Sequence, residues 1–284
     1  MGENSKIAWT THTVNFWIGC KEVSDHGCLT CYARELDKRY QYGVSGEQAK
    51  LNRAAGIAPN WVDGVRHRTS ASNWAKPLRW DRDAAAAGAP CMVFTESLSD
   101  FFDNQVDPAW REAAWKIIKA TPNLRWQILT KRSSLIKKML PADWGNGYPN
   151  VGLVASVSTQ AEFMRDAPRL LRVSARWHGF SLEPQVERIV LPGFVASYPG
   201  NIWFITGGDS AQPSSGHKPR PYDVEWARGL ITASKIAPNI KIFVKQLGAA
   251  PLNAPPQTDA YGAEDPAEWP EDIRVRDFVP ELLS

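Results

Sequence analysis

Three of the chain's four cysteines, Cys20, Cys28 and Cys31, fall within NFWIGCKEVSDHGCLTCYARELDKRY at 15–40. Thiolates are soft ligands that suit iron-sulfur clusters and zinc. Three of them can hold three irons of a cubane 4Fe-4S cluster and leave the fourth iron open to a substrate or cofactor. Zinc is the alternative, because His26 lies between the cysteines and Cys20, His26, Cys28 and Cys31 together offer three sulfurs and one nitrogen. A single residue separates His26 from Cys28, which strains joint ligation, and Asp25-His26-Gly27 reads equally well as an exposed turn. A loop without metal is the third reading. Cys91 differs from the other three: it opens the apolar run CMVFT and is expected to be a buried strand residue.

A second set of chemically useful residues sits at the ends of apolar runs. The runs are CMVFTESLSD from Cys91, RWQILTKR from Arg125, NVGLVASVST from Asn150, RWHGFSLEP from Arg176, NIWFITGGDS from Asn201 and IKIFVKQLG from Ile240. They end in Glu96, Ser97 and Asp100; Thr130, Lys131 and Arg132; Ser156 and Ser158; Ser181 and Glu183; Asp209 and Ser210; Lys245 and Gln246. The pair of glycines before Asp209 lets backbone approach a ligand closely.

Continuous apolar runs are what strands covered on both faces of a parallel sheet require. Between them lie amphipathic segments such as DPAWREAAWKIIKAT from Asp107, with Pro108 at a first helical position, and YDVEWARGLITASKI from Tyr222. Strand alternating with helix predicts an α/β fold. Six runs plus a first strand in VNFWIG, leading into Cys20, approach the count of a partial or complete parallel (β/α) barrel. No GxGxxG follows the first strand and no Walker sequence occurs, so an open doubly wound sheet is the weaker alternative. In a parallel barrel the carboxyl ends of the strands share one face, and the cysteine loop belongs there with the polar run ends.

A single domain is expected over 1–249, with the cysteine loop at 15–32 and an insertion at about 50–88; 250–284, rich in proline and acids, reads as a tail packed on it. With 43% apolar and 22% charged residues, the composition is that of a chain with a substantial core. A net charge of +3, with acids scattered among the bases, does not give the dense field of a dedicated nucleic-acid binder. Thirteen tryptophans are read as core. No signal peptide or membrane span is indicated, so a cytoplasmic protein with no membrane partner is expected. In a reducing cytosol, clustered cysteines are metal ligands or redox groups more often than disulfides.

NFWIGCKEVSDHGCLTCYA resembles the opening of the phage-associated three-cysteine-motif proteins, a family of uncharacterised function. TESLSDFF, WQILTKR, VGLVASVS, SLEP, WFITGGDS, KPRPYDVEWAR and IFVKQLG are similar to its successive blocks, in order. That family in turn resembles radical S-adenosylmethionine enzymes. The resemblance implies a 4Fe-4S cluster on Cys20, Cys28 and Cys31, S-adenosylmethionine as cofactor, and a reductant or electron-donor protein as partner. It implies a bacterial host's cytoplasm as location and nucleic acid or a nucleotide as substrate. It also implies that Glu96, Ser97, Lys131, Ser156, Glu183, Asp209 and Lys245 line the cofactor pocket, with Ser156 or Glu183 toward the ribose. The first cysteine gap, of seven residues, is longer than in those enzymes, and Tyr32 follows the last cysteine where they place an aromatic before it. Cluster binding survives that departure better than radical chemistry does. The competing reading is a non-catalytic metal-binding protein, 4Fe-4S or zinc, that holds nucleic acid or a protein partner.

Overall fold

The structure is a computed structural model that describes residues 2–212 and 216–284. The fold is α/β with parallel strands, seven in all, one short of the eight that close a barrel. The chain divides into two compact units, Met1–Val151 with Ser284, and Gly152–Leu283.

In the first unit three parallel strands, His12–Val14, Cys91–Thr95 and Leu124–Thr130, pair with Cys91–Thr95 in the middle. The crossover positions are taken by helices Ala71–Ala87 and Pro108–Lys119, so the last part of the segment read as an insertion is one of these crossovers. Both helices begin as their sequences require. Ser70 accepts a hydrogen bond from the Asn73 amide and Asp107 from the Ala109 amide, which satisfies donors no helical carbonyl can reach. Gly88 ends the first helix in the left-handed conformation. Tryptophans fill this core as expected: Trp17, Trp80 and Trp126 are fully buried, and Phe16 packs against Trp17, Trp74 and Trp126.

The second unit continues the pattern. Val151–Ser156, Trp177–Leu182, Ile202–Gly207 and Ile240–Gln246 are parallel in that order, with helices Gln160–Leu171 and Val224–Ile236 between strands. Gly152 is required by packing, since a Cβ there would lie 1.9 Å from the Trp177 ring. The tail runs along the last strand: the Val244 amide donates to the Val275 carbonyl, and Arg276 donates to the Val244 and Lys245 carbonyls. That pairing covers a strand edge that would otherwise be open.

Two expectations are corrected. The first parallel strand ends at Val14, well before Cys20, and Trp17–Ile18 turns away to pair antiparallel with His67–Arg68. Side chains pull it there: the Thr69 hydroxyl donates to the Asn15 and Phe16 carbonyls, and the Trp74 indole to the Phe16 carbonyl. Cys91 does open a strand, but as its first residue it is only half-buried. Among the described residues no helix is long and apolar enough to cross a membrane.

Candidate functional site

The cysteine segment is held by the turn that follows strand Cys91–Thr95. Glu96 there has a positive φ of 65°, a conformation that costs a non-glycine residue energy, and its carboxyl accepts from the Phe16 amide at 2.9 Å. The Ser99 hydroxyl contacts both the other Glu96 oxygen and the Trp17 carbonyl. Asn15, fully buried, donates to the Ser97 hydroxyl at 3.0 Å and accepts from the Leu98 amide at 2.7 Å. The Gly19 amide donates to the Leu98 carbonyl. Gly19 has a φ of 111°, and a Cβ on it would lie 2.3 Å from the Asn60 carbonyl, so only glycine brings the chain into Cys20 by this route. Burial pushes the Glu96 carboxyl up to about 8 against the pull of Ser99 and the Phe16 and Trp17 amides.

Cys20 and Cys31 are half-buried and Cys28 is buried; none is in a disulfide. Cys31 stands at the N-cap of helix Tyr32–Tyr40, whose Asp37 fixes Asn60 through two hydrogen bonds of 2.8 Å. The Tyr32 hydroxyl donates to the Ser97 carbonyl at 2.6 Å, which ties the cysteine helix to the same turn. The Arg132 guanidinium donates to Cys20 Sγ at 3.3 Å and to the Lys21 carbonyl at 2.7 Å. Asp100 pairs with Arg132 at 3.0 Å while accepting from the Thr130 hydroxyl and the Lys131 amide. Burial pushes the Cys20 thiol up to about 12, against the pull of Arg132. Burial raises the Cys31 thiol as well, against an opposing pull from the charge of Lys131. His26 lies exposed in the intervening turn.

The second unit carries its own polar strand ends. Lys245 pairs with Glu183 at 2.9 Å, and the Ser181 hydroxyl donates to the other Glu183 oxygen. Asp209, buried, accepts from Arg220 at 2.9 Å and contacts His217 at 3.1 Å. Gln246 donates to the Gly208 carbonyl and the Ser210 hydroxyl. Ser156, at the end of its strand and opposite Ser181, is half-buried.

Of the residues expected to line a pocket, the structure therefore brings Glu96, Ser97 and Lys131 to the cysteine segment, Glu96 and Ser97 as braces and Lys131 as a nearby charge. It pairs Glu183 with Lys245 and gives Asp209 cationic partners of its own. Sequence reading missed Asn15, Ser99 and the contact of Arg132 with Cys20. Arg132 was visible as the second base of TKR, but nothing local ties it to a sulfur 112 residues away.

The donor set fits a sulfur-ligated group. Three free thiols lie on one short segment, one receives a buried guanidinium donor and another feels a lysine charge, and cations beside sulfur favour its anionic, ligating form. Among the described residues, no three His, Cys, Asp or Glu side chains stand together as a metal site.

The fold and this segment define a parallel α/β protein with a three-thiol loop. The chain belongs to the DUF5131 family, proteins of unknown function, whose profile matches residues 4–265. No curated protein matches it. Among solved structures, a cysteine-to-serine variant of spore photoproduct lyase is similar, at 14% identity and a TM-score of 0.45, over 76% of this chain and 62% of that one. A cysteine-to-alanine variant of that lyase with dinucleoside spore photoproduct is 14% identical at a TM-score of 0.43, over 71% of this chain and 57% of the other. A double variant with bound AdoMet and dinucleoside spore photoproduct is 12% identical at 0.40, over 83% and 56%. The chain thus spans less than two thirds of the length of these lyase chains.

Proposed function

We propose that the protein is an iron-sulfur enzyme that uses S-adenosylmethionine for radical chemistry on nucleic acid or a nucleotide. The observation that carries this reading is the set of three free thiols, on one segment behind a parallel strand, with the Arg132 guanidinium on Cys20. Cys20, Cys28 and Cys31 would hold the 4Fe-4S cluster. Bound there, the cluster would supply a single electron and an open iron for the amino and carboxylate groups of the cofactor.

The chain's own residues do the rest. Asn15, Glu96 and Ser99 hold the 15–20 backbone against the 96–99 turn, so that the first sulfur leaves the fold in one direction. Lys131 and Arg132 place positive charge beside sulfurs that become anionic on ligation. In the second unit, Ser156, Glu183, Asp209 and Lys245 are proposed as contacts for polar groups of S-adenosylmethionine, each to be tested by its own substitution. The nucleic-acid substrate class rests on the resemblance to phage-associated proteins, and an external reductant completes the scheme.

Purification or reconstitution without oxygen tests the metal. About four irons per chain, with matching sulfide, is the expected result. One equivalent of zinc and no iron would instead support a non-catalytic metal-binding protein.

A further inference from the structure

We propose that Arg132 raises the reduction potential of the sulfur-ligated centre by donating an N–H hydrogen bond to Cys20. The inference rests on the cluster reading of the cysteine segment and adds a control over its redox behaviour.

The guanidinium is fixed from several sides. Its side chain is 5% exposed, one nitrogen lies 3.0 Å from Asp100 and 3.3 Å from Cys20 Sγ, and another lies 2.7 Å from the Lys21 carbonyl and 3.7 Å from Asp103. Asp100 is held in turn by the Thr130 hydroxyl, the Phe102 amide and the Lys131 amide, and the Arg132 amide donates to the same Thr130 oxygen. Asp103 is occupied by Arg66 at 2.7 Å. A purely structural arginine in this network would place its donors on carboxylates and carbonyls. Here one donor points at sulfur, a weak acceptor as a thiol and a strong one as a thiolate.

The consequence is electrostatic. Taking up one electron from a low-potential donor, such as dithionite, adds one negative charge to a centre whose sulfur ligands are already anionic. A fixed cation with an N–H aimed at one of those sulfurs stabilises the more negative state, and hydrogen bonds to ligand sulfurs are among the groups that set such potentials. The carboxylates of Asp100 and Asp103 act in the opposite sense but lie behind the guanidinium, on carboxylate-guanidinium contacts, while the N–H contact reaches the sulfur itself.

The test is a redox titration of anaerobically reconstituted protein, followed by electron paramagnetic resonance, with the parent, Arg132→Lys and Arg132→Gln. The midpoint is expected to fall from parent to Arg132→Lys, which keeps the charge and loses the planar fork, and to fall further in Arg132→Gln. Equal midpoints overturn the proposal and leave the cluster reading intact, as does lower iron occupancy at an unmoved midpoint, the signature of a purely structural arginine. If Arg132→Gln does not fold, Arg132→Lys decides alone, by a lowered or an unchanged midpoint. A parent that takes up no cluster at all sinks both readings, because Cys20 then ligates nothing.

Discussion

Alanine at Cys20, Cys28 or Cys31 is expected to take bound iron from about four per chain to none measurable, because a cluster held by three protein thiolates does not survive on two. Cys91→Ala is expected to leave iron unchanged. Cys91 opens strand Cys91–Thr95, is half-buried, and its thiol contacts only backbone of its own strand and the Thr11 hydroxyl. Its loss removes a small apolar group, at about 1 kcal/mol of stability. The four variants, reconstituted side by side and assayed for iron and sulfide, check both halves. Iron retained at full level in any of the first three, or lost in Cys91→Ala, would mean that the ligand set is misassigned.

Glu96 is expected to make the protein less stable as pH rises through the neutral range. Its carboxyl titrates at about 8 in the folded chain, against an ordinary value of 4.5, because burial outweighs the hydrogen bonds from Ser99, Phe16 and Trp17. Between those two values the folded state keeps a proton that the unfolded state has released. The stabilisation is therefore fully present below the ordinary value, shrinks as pH rises, and levels off above the folded value, by about 1.4 kcal/mol per pH unit if Glu96 acted alone. Asp100 adds to the rise, and Arg111 is the nearby cation that feels the same carboxyl. Glu96→Gln keeps the acceptor for the Phe16 amide and offers Ser99 an N–H, while the Ser99 hydroxyl remains free to donate to the Trp17 carbonyl. The variant is expected to lose the slope and to be the more stable protein above pH 8. Denaturant unfolding of both proteins at several pH values from 5 to 9 measures this; parallel stability curves would show that Glu96 does not carry the dependence.

The parallel strands could be read from the sequence because each is a short run of apolar residues ending in polar ones, and burial on both faces leaves few other sequences. The helices Pro108–Lys119 and Val224–Ile236 carry the start signals that the sequence shows, Asp107 with Pro108 and Asp223. The end of the first strand could not be read. VNFWIG is as apolar as any strand in the chain, and what bends it is a set of side chains from 69–74 and 96–99 acting on its carbonyls and amides. The cysteines were legible as a group from spacing alone. The contact of Arg132 with Cys20 was not, since it depends on which strand the first one pairs with and on how Asp100 orients the guanidinium. Glu96 was legible as a strand-end carboxylate, whereas its inward orientation follows from a positive φ that no local pattern announces for glutamate. For Glu183, Lys245 and Asp209 the sequence gave position at strand ends and could not show that Glu183 meets Lys245 or that Asp209 meets Arg220.

The most direct test of the central claim is the electron paramagnetic resonance spectrum of the dithionite-reduced, reconstituted protein with and without S-adenosylmethionine. If three thiols leave one iron open, the cofactor changes the spectrum, and 5′-deoxyadenosine accumulates slowly even without substrate. A spectrum identical at saturating S-adenosylmethionine, with the cluster intact and reduced, would contradict the radical mechanism.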